Sequence, residues 1–388
     1  MPARRLLFLA QRFPPDVGGL ARSGERIPAA LSRLGVEVEV VAWTRRLPPG
    51  RLETVKTVPG VVLHRVGLYA SVELTMQHTL GVLEWLHAER PFHAVWGHYL
   101  FPTGFLAVLF AGQAGLPSTV SARGNDVDQL AFPPGDFARL RWTLERATLV
   151  TSVSAELQRK IRVLVGDGAR VEVLRNAVDL DTFHPGPADP TLRERLGIAP
   201  GETVLGFCGE LRQKKGLPFL LDAFREVRRK RPACLLVIGE VRARDQAALD
   251  AFAAEHPEDA ARLLVTGPME EPARVAAALR LCDLVLLPSL WEGLPNALLE
   301  AMACGRLVLA SDAGGIPEVV RPGIDGFIVP RARLHRFGLA ANEVLERPEP
   351  ERARWAAAAR ERVAGAFGPA QEAEGLSRVL ERLMPSAS

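Results

Sequence analysis

Short apolar runs alternate with longer amphipathic stretches along nearly the whole chain. In the first half, the runs at residues 6–10, 36–43, 61–66, 93–97, 119–122, 148–152 and 171–174 predict strands. Between them, residues 20–34, 72–90 and 101–114 carry apolar positions at helical spacing. This order predicts β-α units around a mostly parallel sheet. Residues 184–190 are dense in proline and read as a linker. The alternation then restarts, with strands expected at 204–208, 234–239, 262–266, 283–287 and 307–310 and helices at 218–229, 244–255 and 272–280. Two doubly wound α/β domains in series are therefore expected, residues 1–185 and 186–368. Ligands of such sheets sit beyond the carboxyl ends of the strands, so the residues just after each strand are the candidates.

A chain of 388 residues has room for two domains of about 150 residues each. Its 48% hydrophobic and 24% charged residues are those of a globular protein, which excludes collagen, broad disorder and a small disulfide scaffold. A net charge of +3 is too small to imply nucleic acid. The excess is uneven, since residues 1–56 hold ten Lys/Arg against five Asp/Glu. Trp43, Arg45, Arg46 and Arg51 make peripheral contact with a membrane an expectation for this half. Cys208, Cys234, Cys282 and Cys304 lack C-x-x-C spacing and read as buried thiols. The apolar stretch 6–10 is too short for a signal peptide, and no run approaches 18 apolar residues. A cytoplasmic protein, at most peripheral on the inner face of the membrane, is expected.

The most informative stretch is 283–305, DLVLLPSLWEGLPNALLEAMACG. A strand is followed by a loop carrying Glu292, then by a helix that Pro295 suits as its first residue and that carries Glu300. The open amides of a helix start attract a diphosphate, and a carboxylate inside the helix can accept both hydroxyls of a ribose. Bare E-x7-E spacing is weak by itself; its place after a buried strand strengthens it. In GFCGELRQKKG, 206–216, another strand ends at Gly209 and Arg212, Lys214 and Lys215 follow, cations suited to phosphate oxygens. In the first half Gly18-Gly19 follow the first strand, His98 follows the 93–97 strand, and Arg123 and Asp126 follow another. A dinucleotide fingerprint, a P-loop and a zincin motif are missing from the sequence. The D-x-D pairs Asp126/Asp128 and Asp179/Asp181 lack the flanking strand pattern of a metal site and read as structural.

Taken in order, these motifs resemble the retaining GT-B glycosyltransferases of family 4, the group 1 glycosyltransferases. The resemblance runs from Gly18-Gly19 through His98, Asn176–Asp179, Gly209–Gly216 and Glu292–Glu300 to Gly314–Glu318 and Gly323–Phe327. It implies two Rossmann-like doubly wound domains facing each other across a cleft, the first for the acceptor and the second for the donor. A final helix in residues 369–388 would pack back on the first domain. It also implies transfer of a hexosyl group from a UDP- or GDP-sugar to a hydroxyl of a sugar, glycan or glycolipid. No cofactor or metal is implied.

Carried over residue by residue, Glu300 would bind the ribose and Glu292 the donor sugar. Gly293, Leu294 and Asn296 would touch sugar or phosphate. Arg212 and Lys215 would grip the diphosphate. Gly18 and Gly19 would lie beside the phosphates, and His98 near the reacting face of the sugar. Arg123 and Asp126 would serve the acceptor. The sequence departs from the family at Glu210, where Arg is common, at Pro295 in place of Gly, and at Arg123, where some members have His. A nucleotide-sugar epimerase, a phosphorylase and a non-catalytic sugar-binding protein are the competing readings.

Overall fold

Along the first strand, Leu6, Phe8 and Ala10 enter one apolar cluster and Leu7 and Leu9 another. Side chains of a strand alternate between faces, so this strand is covered on both sides, as a parallel sheet requires. In a computed structural model that describes residues 4–385, it is β1 (Arg4–Ala10) of an eight-stranded sheet. The others are β2 (Val36–Thr44), β3 (Leu52–Lys56), β4 (Val61–Gly67), β5 (Ala94–His98), β6 (Ser118–Ala122), β7 (Leu149–Ser152) and β8 (Val171–Val173), in the order β3-β4-β2-β1-β5-β6-β7-β8. All pairings are parallel except β3 with β4. A second sheet contains β9 (Thr203–Cys208), β10 (Ala233–Ile238), β11 (Leu263–Val265), β12 (Leu284–Leu287), β13 (Leu307–Ser311) and β14 (Phe327–Val329). Its order is β11-β10-β9-β12-β13-β14, parallel throughout.

The chain forms two compact units: residues up to Asn176 with those from Ala370 onward, and Ala177–Pro369. The division precedes the proline-rich segment. The Val178 N–H donates to the Phe367 carbonyl, and Arg360 and Arg280 hold the carbonyls of Phe183 and His184. Much of the segment read as linker is therefore fastened to the C-terminal unit. Its last proline opens a helix, Pro190–Arg195, with the Asp189 carboxylate capping the amides of Thr191 and Leu192.

The helix Pro369–Leu383 belongs to the N-terminal unit. It buries Leu376, Val379, Leu380 and Leu383 in the same cluster as Leu6, Phe8 and Trp96. The end of the expected 369–388 helix, residues 386–388, lies outside the described residues.

Candidate functional site

In the C-terminal unit the loops after β9, β12 and β13 interlock. The Leu290 N–H donates to the Lys214 carbonyl at 2.9 Å, and the Gly315 N–H to the Gly293 carbonyl at 2.7 Å. Gly216 has φ +77°, and a Cβ there would lie 1.9 Å from the Pro288 carbonyl oxygen. Gly314 has φ +55°, and its Cβ would lie 2.0 Å from the Glu292 carbonyl oxygen. Only glycine fits either position. Gly216→Ala is expected to cost about 1–3 kcal/mol through the strained backbone alone, and more through the clash. Chemical denaturation of the variant beside the wild type measures this; equal stability would contradict it.

Glu292 stands at the centre of this lattice and is 6% exposed. Its Oε1 accepts from Lys215 Nζ at 2.5 Å and from the Ser289 hydroxyl at 2.8 Å. Ser289 is itself held, since the Ser311 hydroxyl donates to its carbonyl. Burial pushes the Glu292 carboxyl up. The Lys215 and Lys214 charges and the two hydrogen bonds outweigh burial and hold it below the usual carboxylate range. Glu292 is therefore an anion at neutral pH.

The loop leads into the helix Asn296–Ala303, with Pro295 at the cap position and not inside the first turn as expected. Pro295 is extended, at φ −72° and ψ 123°, so the helical turns begin one residue later. The Asn296 side-chain oxygen is buried without a hydrogen-bond partner among the described residues. Glu300 follows one turn along and is 7% exposed.

Glu210, where the family often has Arg, is bracketed by cations. Its carboxylate accepts from Arg242 Nε at 3.0 Å and pairs with Arg212 Nη1 at 3.2 Å. A bridge between Leu211 and Val241 joins the two loops. Arg242 was not among the sequence candidates; only its place after β10 marked it.

In the N-terminal unit, β1, β5 and β6 are neighbours, so their trailing loops share one edge. Gly18, at φ +119°, caps the helix Gly19–Arg33. One turn on, Ser23 donates to the Gly19 carbonyl at 2.8 Å and lies 2.9 Å from His98 Nε2. With the hydroxyl proton directed to that carbonyl, Nε2 carries the imidazole proton and Nδ1 is an acceptor. Nδ1 is buried without a partner among the described residues. His98 is fully buried and stacks on Phe8. Burial, then the Arg123 and Arg26 charges, lower its pKa well below the ordinary value despite a hydrogen bond that the ring donates to the Leu20 carbonyl, so it is neutral. Next to it Tyr99 takes φ 90°, a conformation L-residues rarely adopt. Hydrogen bonds from Thr103 to the His98 carbonyl, from the Tyr99 N–H to Ser121 and from the Leu100 N–H to Asp126 hold it there.

Asp126 was expected to meet an acceptor, but it is 1% exposed. It accepts from the N–H groups of Leu100, Arg123 and Val127, and burial raises its pKa to about 6 against their pull. It ties together the loops after β5 and β6. Trp43 is likewise turned inward, 5% exposed with its indole donating to Thr79, so it offers no ring to a membrane surface. Arg45, Arg46 and Arg51 are exposed. No helix among the described residues is long and apolar enough to cross a membrane. Asp179 of the second D-x-D pair caps the amides of Asp181 and Thr182.

Residues 18–177 match a model described as "Glycosyl transferase 4-like domain", and residues 202–347 one described as "Glycosyl transferases group 1". The D-inositol 3-phosphate glycosyltransferase of Segniliparus rotundus is 30% identical over 367 residues, 89% of this chain and 80% of that protein. Among solved structures, sucrose-phosphate synthase from Thermosynechococcus elongatus superposes with a TM-score of 0.84 at 18% identity, covering 99% of this chain and 100% of that one. Anabaena HepE in complex with UDP and glucose superposes with a TM-score of 0.79 at 20% identity, covering 98% and 100%. With two parallel α/β units and this similarity along nearly its whole length, the chain belongs to the group 1 glycosyltransferases and has the GT-B fold.

Proposed function

We propose that the chain transfers a hexosyl group, with retention of anomeric configuration and without a metal, from a UDP- or GDP-sugar to a hydroxyl of a sugar, glycan or glycolipid, as expected of family 4. The observation that carries this is the fixed Lys215–Glu292 pair beside the open end of the helix that bears Glu300. Glu300 takes the ribose hydroxyls. Arg212, Lys215 and the amides at Asn296 meet the diphosphate, and Glu292 with Gly293 and Leu294 holds the sugar. Arg242, joined to Arg212 through Glu210, adds a second guanidinium on the phosphate side. The base has room in a cavity of about 370 Å³ lined by Glu240, Val241, Leu249, Phe252 and Gly267, next to Arg242. That relatives include an inositol-phosphate glycosyltransferase, and a structure holding UDP and glucose, supports the reading.

The anomeric C–O bond breaks as the diphosphate leaves, and a new C–O bond forms on the same face to the acceptor oxygen. The acceptor's proton passes to the departing phosphate. Negative charge grows on that phosphate, where cations and amides are already aimed. Glu292 is committed to Lys215 and Ser289, so it suits anchoring the sugar better than attacking it. Neutral His98 offers Nδ1 to a hydroxyl at the reacting face. His98→Ala is expected to lower kcat about 10- to 100-fold while leaving UDP affinity within about twofold. Steady-state kinetics with UDP titration checks this, and a matching loss of UDP affinity would move His98 into donor binding.

A thermal-shift series with UDP, GDP, ADP and their sugars, each with and without EDTA, tests the whole reading. UDP or GDP should raise the melting temperature in both conditions. Stabilisation by none of them would overturn it, and stabilisation that EDTA abolishes would overturn the metal-free part. NMR of the product then reads the anomer.

A further inference from the structure

Two neighbouring loops of the C-terminal unit are built to one pattern. Gly209-Glu210-Leu211-Arg212 follows β9, and Gly239-Glu240-Val241-Arg242 follows β10, the strand beside it. Each loop then makes a single 3-10 turn, Gln213–Lys215 in the first and Ala243–Asp245 in the second. The glycines let the loops close on each other: Gly239 has φ +142°, and a Cβ there would lie 2.4 Å from the Gly209 carbonyl oxygen. The Leu211 N–H donates to the Glu240 carbonyl at 2.8 Å, and the Arg242 N–H to the Leu211 carbonyl at 3.0 Å. The parallel pairing of the strands thus resumes for one more step, at Leu211 and Val241. Arg212 and Arg242 are thereby set side by side at the carboxyl edge of the sheet. The two glutamates differ in their surroundings. Glu240 lines the cavity next to Arg242, whereas Glu210 takes both guanidiniums, Arg242 on Oε1 and Arg212 on Oε2.

A carboxylate in this place would by itself repel a diphosphate. The three side chains are between 20% and 34% exposed, and ion pairs this open add little to the stability of a fold. Their effect lies in where the guanidiniums stand. Two such cations alone would repel each other and swing apart; one carboxylate between them holds both, and the trio keeps a net positive charge. The bond from Arg242 runs through Nε, which fixes the guanidinium plane and leaves the terminal nitrogens to meet an oxyanion. Lys215 completes the group, since its N–H donates to the Arg212 carbonyl at 2.9 Å.

We propose that Glu210 is a positioning residue of the donor site: it holds Arg212 and Arg242 as one fixed pair that takes the diphosphate, so that a negative charge strengthens the binding of an anion. The proposal rests on the donor reading and adds to it the role of the glutamate.

Calorimetric titration of the full chain with UDP, GDP and inorganic pyrophosphate tests this in Glu210→Gln, Glu210→Asp, Arg242→Gln and the double variant Glu210→Gln/Arg242→Gln. Glu210→Gln should weaken whichever nucleotide binds by about five- to tenfold, where plain repulsion requires it to tighten. Glu210→Asp keeps the charge but is too short to span both arginines. It should weaken binding about threefold or more, and it carries the test if the glutamine variant does not melt cooperatively. With Arg242 already replaced, Glu210→Gln should change affinity by less than about twofold, a coupling that general loosening of the loop would not produce. Tighter or unchanged binding in Glu210→Gln, or losses that simply multiply in the double variant, overturns the proposal. If neither nucleotide binds the wild type, the donor reading fails and pyrophosphate reports on the trio alone. The same pattern of losses with pyrophosphate then upholds the role of Glu210, and no binding or no loss overturns it.

Discussion

Replacing Lys215 with alanine is expected to lower kcat/KM about 10²- to 10³-fold and to destabilise the C-terminal unit by about 2–3 kcal/mol at neutral pH. The activity loss follows if the ammonium meets charge that grows on the leaving diphosphate. The stability loss needs no substrate: the variant leaves the Glu292 carboxylate 6% exposed with only the Ser289 hydroxyl and the weaker pull of the Lys214 charge to offset its burial. The figure sits below that for a fully enclosed pair because the Lys215 side chain keeps 18% exposure.

The effect depends on pH with a definite sign. In the wild type the Glu292 pKa is lowered, so the stabilisation is complete above the ordinary carboxylate range. It is lost as pH falls through the lowered folded value. In Lys215→Ala, burial prevails and the folded pKa rises. The variant then gains relative stability as acid protonates Glu292, and the gap between the two proteins narrows. Melting curves from neutral pH down to the carboxylate range, alongside initial rates, check both parts. A gap that stays constant with pH, or a rate loss under tenfold, would sink this account of the pair.

Glu300→Ala should weaken UDP binding about 10- to 100-fold, the worth of charge-assisted hydrogen bonds to two hydroxyls. Turnover at saturating donor should change less, because the ribose is remote from the breaking bond. Glu300→Gln, which keeps one acceptor oxygen, should fall between. A 2′-deoxy donor supplies a sharper readout. The wild type should bind it several-fold more weakly than the ribose form, and Glu300→Ala should bind the two alike. If the alanine variant still discriminates, the ribose is held elsewhere.

Much of this site was legible in the sequence because the fold puts ligand groups immediately after strands. A strand is announced by an apolar run such as Leu284–Leu287 or Thr203–Cys208, and the next few residues are then candidates. Lys215, Glu292 and Glu300 were singled out this way, and the structure brings together the loops that carry Lys215 and Glu292 and leads the second of them into the helix that carries Glu300. Two strands were missed for opposite reasons. β3 is an edge strand of mixed polarity, four of its five residues exposed, and β14 has only three residues. Helices such as Pro134–Arg146 and Glu349–Ala366 escaped because their buried residues are few among many charges.

Groups that meet through space were harder to foresee. Ser23 under His98, Ser289 under Glu292 and Glu372 against Arg26 have partners 75, 3 and 346 residues away. The long-range pairs have no sequence signal beyond a polar residue on an otherwise apolar helix face. Asp126 and Trp43 show the converse, since a polar or aromatic residue in a suggestive place was taken inward by backbone amides or by Thr79.

Synthesis from the amino end sets an order on this architecture. The apolar cluster beneath β1 is finished by Leu376, Val379, Leu380, Leu383 and Met384, which leave the ribosome only after the whole of the C-terminal unit. The half that emerges first is thus the half completed last. Throughout translation of residues 177–369 it must wait with a greasy seam uncovered, the circumstance in which nascent chains call on chaperones.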